Sequence, residues 1–157
     1  MAASGSTRFD WLFFVQWALV TTLGWIVGWT FIGEIGIGLS VGAFQWLALR
    51  GRMRDSLFWI VASALGWILG RGVALYFFGP EIGVLAGLLV GTFLGLAQWI
   101  VLRWESRLAH WWVPVSAVSW FLGLSGYFGA WMVGAVAGLV SGLAIAILFR
   151  REQTVQE

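Results

Sequence analysis

The stretch GAFQWLALR at Gly42–Arg50 returns 53 residues later as GLAQWIVLR at Gly95–Arg103, with glycine, glutamine, tryptophan, leucine and arginine at matching places. The match continues through the following loop and beyond it, at Arg54/Arg107, Trp59/Trp112, Ser63/Ser116, Ala64/Ala117, Trp67/Trp120, Leu69/Leu122 and Gly70/Gly123. A repeat that covers an apolar run, a short basic loop and a second apolar run is a repeat of helices, not of a ligand motif. Fainter copies complete the set. LGWIVG at Leu23–Gly28 echoes LGWILG at Leu65–Gly70, and GLAIAILFR at Gly142–Arg150 ends like the quoted phrase with Ile145 and Ala146 replacing glutamine and tryptophan. The pattern predicts three two-helix hairpins, at about residues 8–50, 54–103 and 107–150. Repeats that run in the same sense are related by an axis along the membrane normal.

With 61% hydrophobic and 10% charged residues and a mean hydropathy of +0.90, the chain has too little polar surface to clothe a soluble globule of 157 residues. Six apolar segments are visible, at Trp11–Thr30, Ile32–Leu49, Leu57–Phe78, Ile82–Leu102, Trp111–Phe128 and Trp131–Phe149. Each is roughly 18 to 22 residues, enough at ~1.5 Å per residue to cross a hydrocarbon core of ~30 Å. The expected fold is all-α, an integral membrane six-helix bundle forming a single transmembrane domain over residues 1–157. The leader MAASGSTRFD is followed by no small-x-small cleavage site, so the first helix is expected to be retained rather than removed as a signal peptide. The absence of cysteine excludes disulfide and thiolate chemistry.

All nine basic residues are arginine. Eight of them, Arg8, Arg50, Arg52, Arg54, Arg103, Arg107, Arg150 and Arg151, fall before the first segment, on alternate connections or after the last. The opposite connections carry no arginine but hold Glu34 and Glu81. The positive-inside rule therefore places both termini in the cytoplasm. Arginines dispersed in this way point to no nucleic-acid partner.

On the even-numbered helices small residues recur every fourth place: Gly38 and Gly42; Gly83, Gly87, Gly91 and Gly95; Ala130, Gly134, Gly138, Gly142 and Ala146. Such faces let two helix backbones approach closely, although the same bareness would suit a conduit wall. Gln45 and Gln98 lie beside these faces at a depth where an amide needs a partner, either another helix or a small polar solute. Of the 13 tryptophans, Trp46, Trp99, Trp104, Trp111 and Trp112 lie near the arginine side and read as interfacial anchors. Trp25, Trp67 and Trp120 are deeper and repeat-related, fit for packing into notches of small residues or for lining a hydrophobic ligand. Arg71, well inside the third segment, calls for a partner, and Glu34 and Glu81 are at the same expected depth. His110 is a lone imidazole at the start of the fifth segment, too few ligands for zinc or a bis-ligated haem.

The combination of QWxxLR, a short basic loop, WWV or FWI, and then GW with a following glycine resembles a group of small bacterial polytopic membrane proteins, of cyanobacterial and filamentous green bacterial type, with QWxxLR/GWxxG repeats. That group has no assigned activity, so the resemblance, which covers about Leu23 to Arg150, implies architecture and a bacterial plasma membrane or thylakoid-type location. No Ser-His-Asp set, HExxH or phosphate loop is present, and the expectation is a protein that is not an enzyme and needs neither cofactor nor metal. Its expected partners are the lipid bilayer and either another membrane protein or further copies of itself. Two function classes stay open: a noncatalytic structural or partner-binding subunit, and a small carrier, channel or hydrophobic-ligand-binding subunit with a site between the repeats. The candidate polar positions in either case are Gln45, Gln98, Arg71, Glu34 and Glu81.

Overall fold

The computed structural model describes residues 9–79 and 84–155. Among them the chain is entirely helical, with α1 (Trp11–Val27), α2 (Ile37–Leu49), α3 (Phe58–Phe78), α4 (Val84–Leu102), α5 (Trp112–Gly123) and α6 (Val133–Val155) and no strand. The Asp10 carboxylate caps α1 by accepting the Phe13 N–H at 2.9 Å. Pro114 sits in the first turn of α5, where its missing N–H would have found no intrahelical acceptor.

Four stretches, Trp11–Ile32, Phe58–Phe78, Leu85–Leu102 and Ala130–Arg150, are long and apolar enough to cross a membrane. The other two helices are shorter than six full spans would require: α2 has 13 residues and α5 has 12. In α2 the difference arises at the start. Ile32 closes a π-helical turn, Gly28–Ile32, that prolongs α1, and Gly33 at φ +90° then redirects the chain. In α5 it arises at the end, where the Ser125 hydroxyl donates to the Leu122 carbonyl at 2.7 Å and Gly126 adopts φ +83°.

Each helix packs on its chain neighbours, and α6 returns to pack on α1, so the bundle closes into a ring. Phe13 and Phe149 seal that closure with ring centroids 5.7 Å apart. The start of α1 and the two arginine-bearing loops meet at one end. Arg52 pairs with Asp10 at 2.8 Å, and the Arg54 N–H donates to Glu105 Oε1 at 3.0 Å.

Missing side chains set the helix spacing. A Cβ on Gly38 would stand 2.6 Å from the Ser63 carbonyl oxygen, one on Gly91 2.6 Å from that of Ser116, and one on Gly134 2.5 Å from Trp25 Cβ. The α1 and α3 helices reply in kind: Gly24, Gly66 and Gly70 would each place a Cβ 2.7 Å from a backbone Cα of α2 or α4. Backbones this close gain dispersion contacts that lipid cannot replace. The α2, α4 and α6 small-residue faces thus pack helix against helix at these positions.

Candidate functional site

Trp17, Trp59 and Trp112, from α1, α3 and α5, converge on the middle of the ring with centroids 5.9, 5.9 and 5.7 Å apart. Trp25, Trp67 and Trp120 form a second triangle with separations of 6.0, 5.9 and 5.3 Å. Each second-triangle residue follows its first-triangle counterpart by eight places, which keeps both within one broad stripe of the helix. All six indoles are at most 4% exposed, and each triangle organises one of the two main clusters of buried apolar side chains. Tilted and edge-on ring pairs of this kind each add ~0.5 to 1.5 kcal/mol beyond their buried area.

Between the triangles runs a polar network. Gln45 Nε2 donates to Thr21 Oγ1 at 3.0 Å, and Gln45 Oε1 accepts the Trp59 indole N–H at 3.0 Å. Gln98 repeats the arrangement one hairpin later: Nε2 donates to Ser63 Oγ at 2.8 Å and Oε1 accepts from Trp112 at 2.8 Å. Each amide therefore ties the helix before its own to the helix after it. At the corresponding place on α6 stands Ile145, and Trp17 donates instead to Ser141 Oγ at 2.9 Å, whose hydroxyl in turn donates to the Ala137 carbonyl. In the second triangle the Trp25 and Trp67 N–H groups donate to the carbonyls of Ala130 and Glu34.

Of the sequence-derived positions, Gln45 and Gln98 are brought together in this network, 3% and 1% exposed. Arg71 and Glu34 form an ion pair away from it; the guanidinium side chain is 7% exposed and the carboxylate side chain 40%. Glu81 lies outside the described residues. Trp112 corrects its reading as an interfacial anchor: it is 1% exposed, because it shares a face with Ser116 and Trp120, turned to the centre of the ring. Trp104 and Trp111, at 77% and 59% exposed, do lie on the outside, with the Arg103 guanidinium 4.9 Å from the Trp104 ring centroid. His110 is exposed beside Trp111. Among the described residues no three potential metal-ligating side chains come together. Trp17, Thr21 and Ser141 carry weight that the sequence reading missed. For Trp17 and Thr21 the signal was the spacing Trp-x3-Ser/Thr-x3-Trp, written once in each of α1, α3 and α5, whereas Ser141 on α6 lies outside that pattern.

Among the described residues, hollows open on the outside of the ring. One of about 400 Å³ runs between α3 and α4, and one of about 270 Å³ lies between α1 and α6. At the arginine end, Asp10 has its carboxyl held below the ordinary value, first by the Phe13 N–H and then by the hydrogen bond and charge of Arg52, with burial opposing. Set against family models, curated proteins and solved structures, the chain matches none.

Proposed function

We propose that the chain is a noncatalytic multi-pass membrane protein, a structural or partner-binding subunit built from three hairpins, 8–50, 54–103 and 107–150, about an axis along the membrane normal. One observation carries this reading: the six buried tryptophans occupy the axis where a conduit or a solute would have to pass. The recurrence of the glycine contacts and of the Gln-to-Trp bond at the 53-residue offset supports the hairpin repeat. Gln45, Gln98, Thr21, Ser63 and the indoles of Trp59 and Trp112 hydrogen-bond to one another on the axis, which favours a role without a reaction. The short α2 and α5 complete the ring of crossings in this reading. Both termini face the cytoplasm of a bacterium, across its plasma membrane or an internal membrane of thylakoid type.

Native-lipid particles examined by mass spectrometry test the proposal. The expected result is a copurifying membrane subunit or a second copy. In vesicles containing the purified chain, saturable uptake of a small polar solute would overturn it. The cysteine-free sequence also allows topology to be checked, with Gly51→Cys and Arg107→Cys expected to react only with reagents that reach the cytoplasmic side. The carrier reading is favoured by one feature, the apolar groove of about 270 Å³ between α1 and α6, which lies between the first and third hairpins. Hydrophobic cargo would be its only fit.

A further inference from the structure

The two outer grooves differ at their mouths. Between α1 and α6 the lining has no charged group and offers lipid an ordinary apolar surface. Between α3 and α4 the walls are Val61, Leu65, Ala97 and Ile100, but the arginine end is closed by Asp55, Glu105 and Trp104. Its volume of about 400 Å³ falls in the ~300 to 1,000 Å³ range of small-molecule sites. The Arg54 N–H bond fixes the Glu105 carboxylate at this mouth, and Arg103 lies against Trp104 beside it. Two carboxylates thus stand at the end of an apolar slot, with a cation against the Trp104 ring that borders it.

From this charge pattern we infer that the α3–α4 groove binds one phospholipid whose headgroup carries a primary ammonium next to its phosphate. One acyl chain lies along Val61, Leu65 and Ile100. The ammonium, with three N–H donors, bridges Asp55 and Glu105, while the phosphate faces Arg103. A choline headgroup has no N–H to donate, and a glycerol headgroup has no cation. The Trp104 indole suits the boundary between chain and headgroup. The inference rests on the contact of the apolar helices with a bilayer and not on the partner-binding role.

The test is native mass spectrometry of the full chain in detergent, titrated separately with phosphatidylethanolamine, phosphatidylcholine and phosphatidylglycerol. One ethanolamine lipid should bind roughly tenfold more tightly than the choline lipid, equivalent to ~1.4 kcal/mol. The double variant Asp55→Asn, Glu105→Gln should reduce ethanolamine binding to the choline level. Val61→Trp, at a position 55% exposed, should fill the groove and reduce binding of the ethanolamine lipid. If Val61→Trp fails to fold, the charge-neutral variant decides alone. Equal binding of the three lipids, or an ethanolamine preference that survives charge removal, would overturn the assignment. So would displacement of a partner protein, rather than lipid, by Val61→Trp. Flotation of the chain with vesicles of all three compositions keeps the bilayer reading separate from the headgroup result.

Discussion

Gln98 Nε2 lies 3.4 Å from Gln45 Oε1, although 53 residues separate the two amides. The corresponding letters of a twice-written phrase meet in the middle of the molecule. Since Gln98 Nε2 also donates to Ser63 at 2.8 Å, and Gln45 Oε1 also accepts from Trp59, the contact joins two three-helix ties into one network.

Gln98→Leu keeps the volume roughly constant but strands the Trp112 N–H. The expected loss is ~1 to 3 kcal/mol, the cost of a buried unsatisfied donor. Unfolding in mixed detergent, followed by circular dichroism, measures it. In a cycle with Trp112→Phe the two losses should fall short of additivity, because the second change removes the stranded donor.

Two glycines should respond differently to alanine. A Cβ on Gly91 would meet the backbone of Ser116 and Ala117 at 2.6 and 2.8 Å, so Gly91→Ala must push α4 from α5 and should cost ~1 to 3 kcal/mol. Around Gly72 nothing lies within 4 Å, so Gly72→Ala should be neutral or stabilising by up to ~1 kcal/mol through helix propensity. Melting temperatures in one detergent check both.

Arg71→Met and Glu34→Gln should couple by at least ~0.5 kcal/mol in a double-mutant cycle. The guanidinium is much the more buried of the two groups, so the charge that Glu34 brings to it is screened less than in an exposed pair. Glu34→Gln should therefore lower the melting temperature more than the 40% exposure of its side chain suggests. Additive losses would leave the pair without a structural role.

Asp10 predicts an acid limb of stability. Its carboxyl is depressed below 3.8 in the folded chain, so its contribution is complete above the unfolded value and disappears as pH falls through the folded one. Melting of the native chain relative to Asp10→Asn should be constant from about pH 7 to 5 and should converge below about pH 4. A difference that changes near neutrality would assign the effect to another group.

The helical class, the apolar stretches and the close-packed glycine faces were legible because they are written in periodicity, and periodicity survives without knowledge of the tertiary partner. Arg71 was legible as a cation needing a carboxylate, and Glu34 was one of its two named partners. Trp112 was not, since nearness to an arginine loop gives depth along a helix but not the face on which an indole sits. That face is set by closure of the ring. The lengths of α2 and α5 were hidden for a related reason. Hydropathy runs on through Ile32 and Phe128, while the chain is turned by the positive φ of Gly33 and Gly126. The Trp17–Ser141 bond was invisible because it spans 124 residues and replaces, with a different side chain, what an amide does elsewhere.

The packing of α1 on α6, sealed by Phe13 and Phe149, makes the numbering of the helices an accident of where the chain is cut. The first and last helices meet at the end that also holds the Arg50–Asp55 loop, close enough for Asp10 to reach Arg52. A short polar linker from the end of α6 to Asp10 would join the old termini on that side, and new ends opened at the exposed Gly51 would leave every interhelical contact of the ring in place. Such a circularly permuted chain enters the bilayer α3 first and reaches the same bundle, with the order of synthesis changed and the architecture untouched.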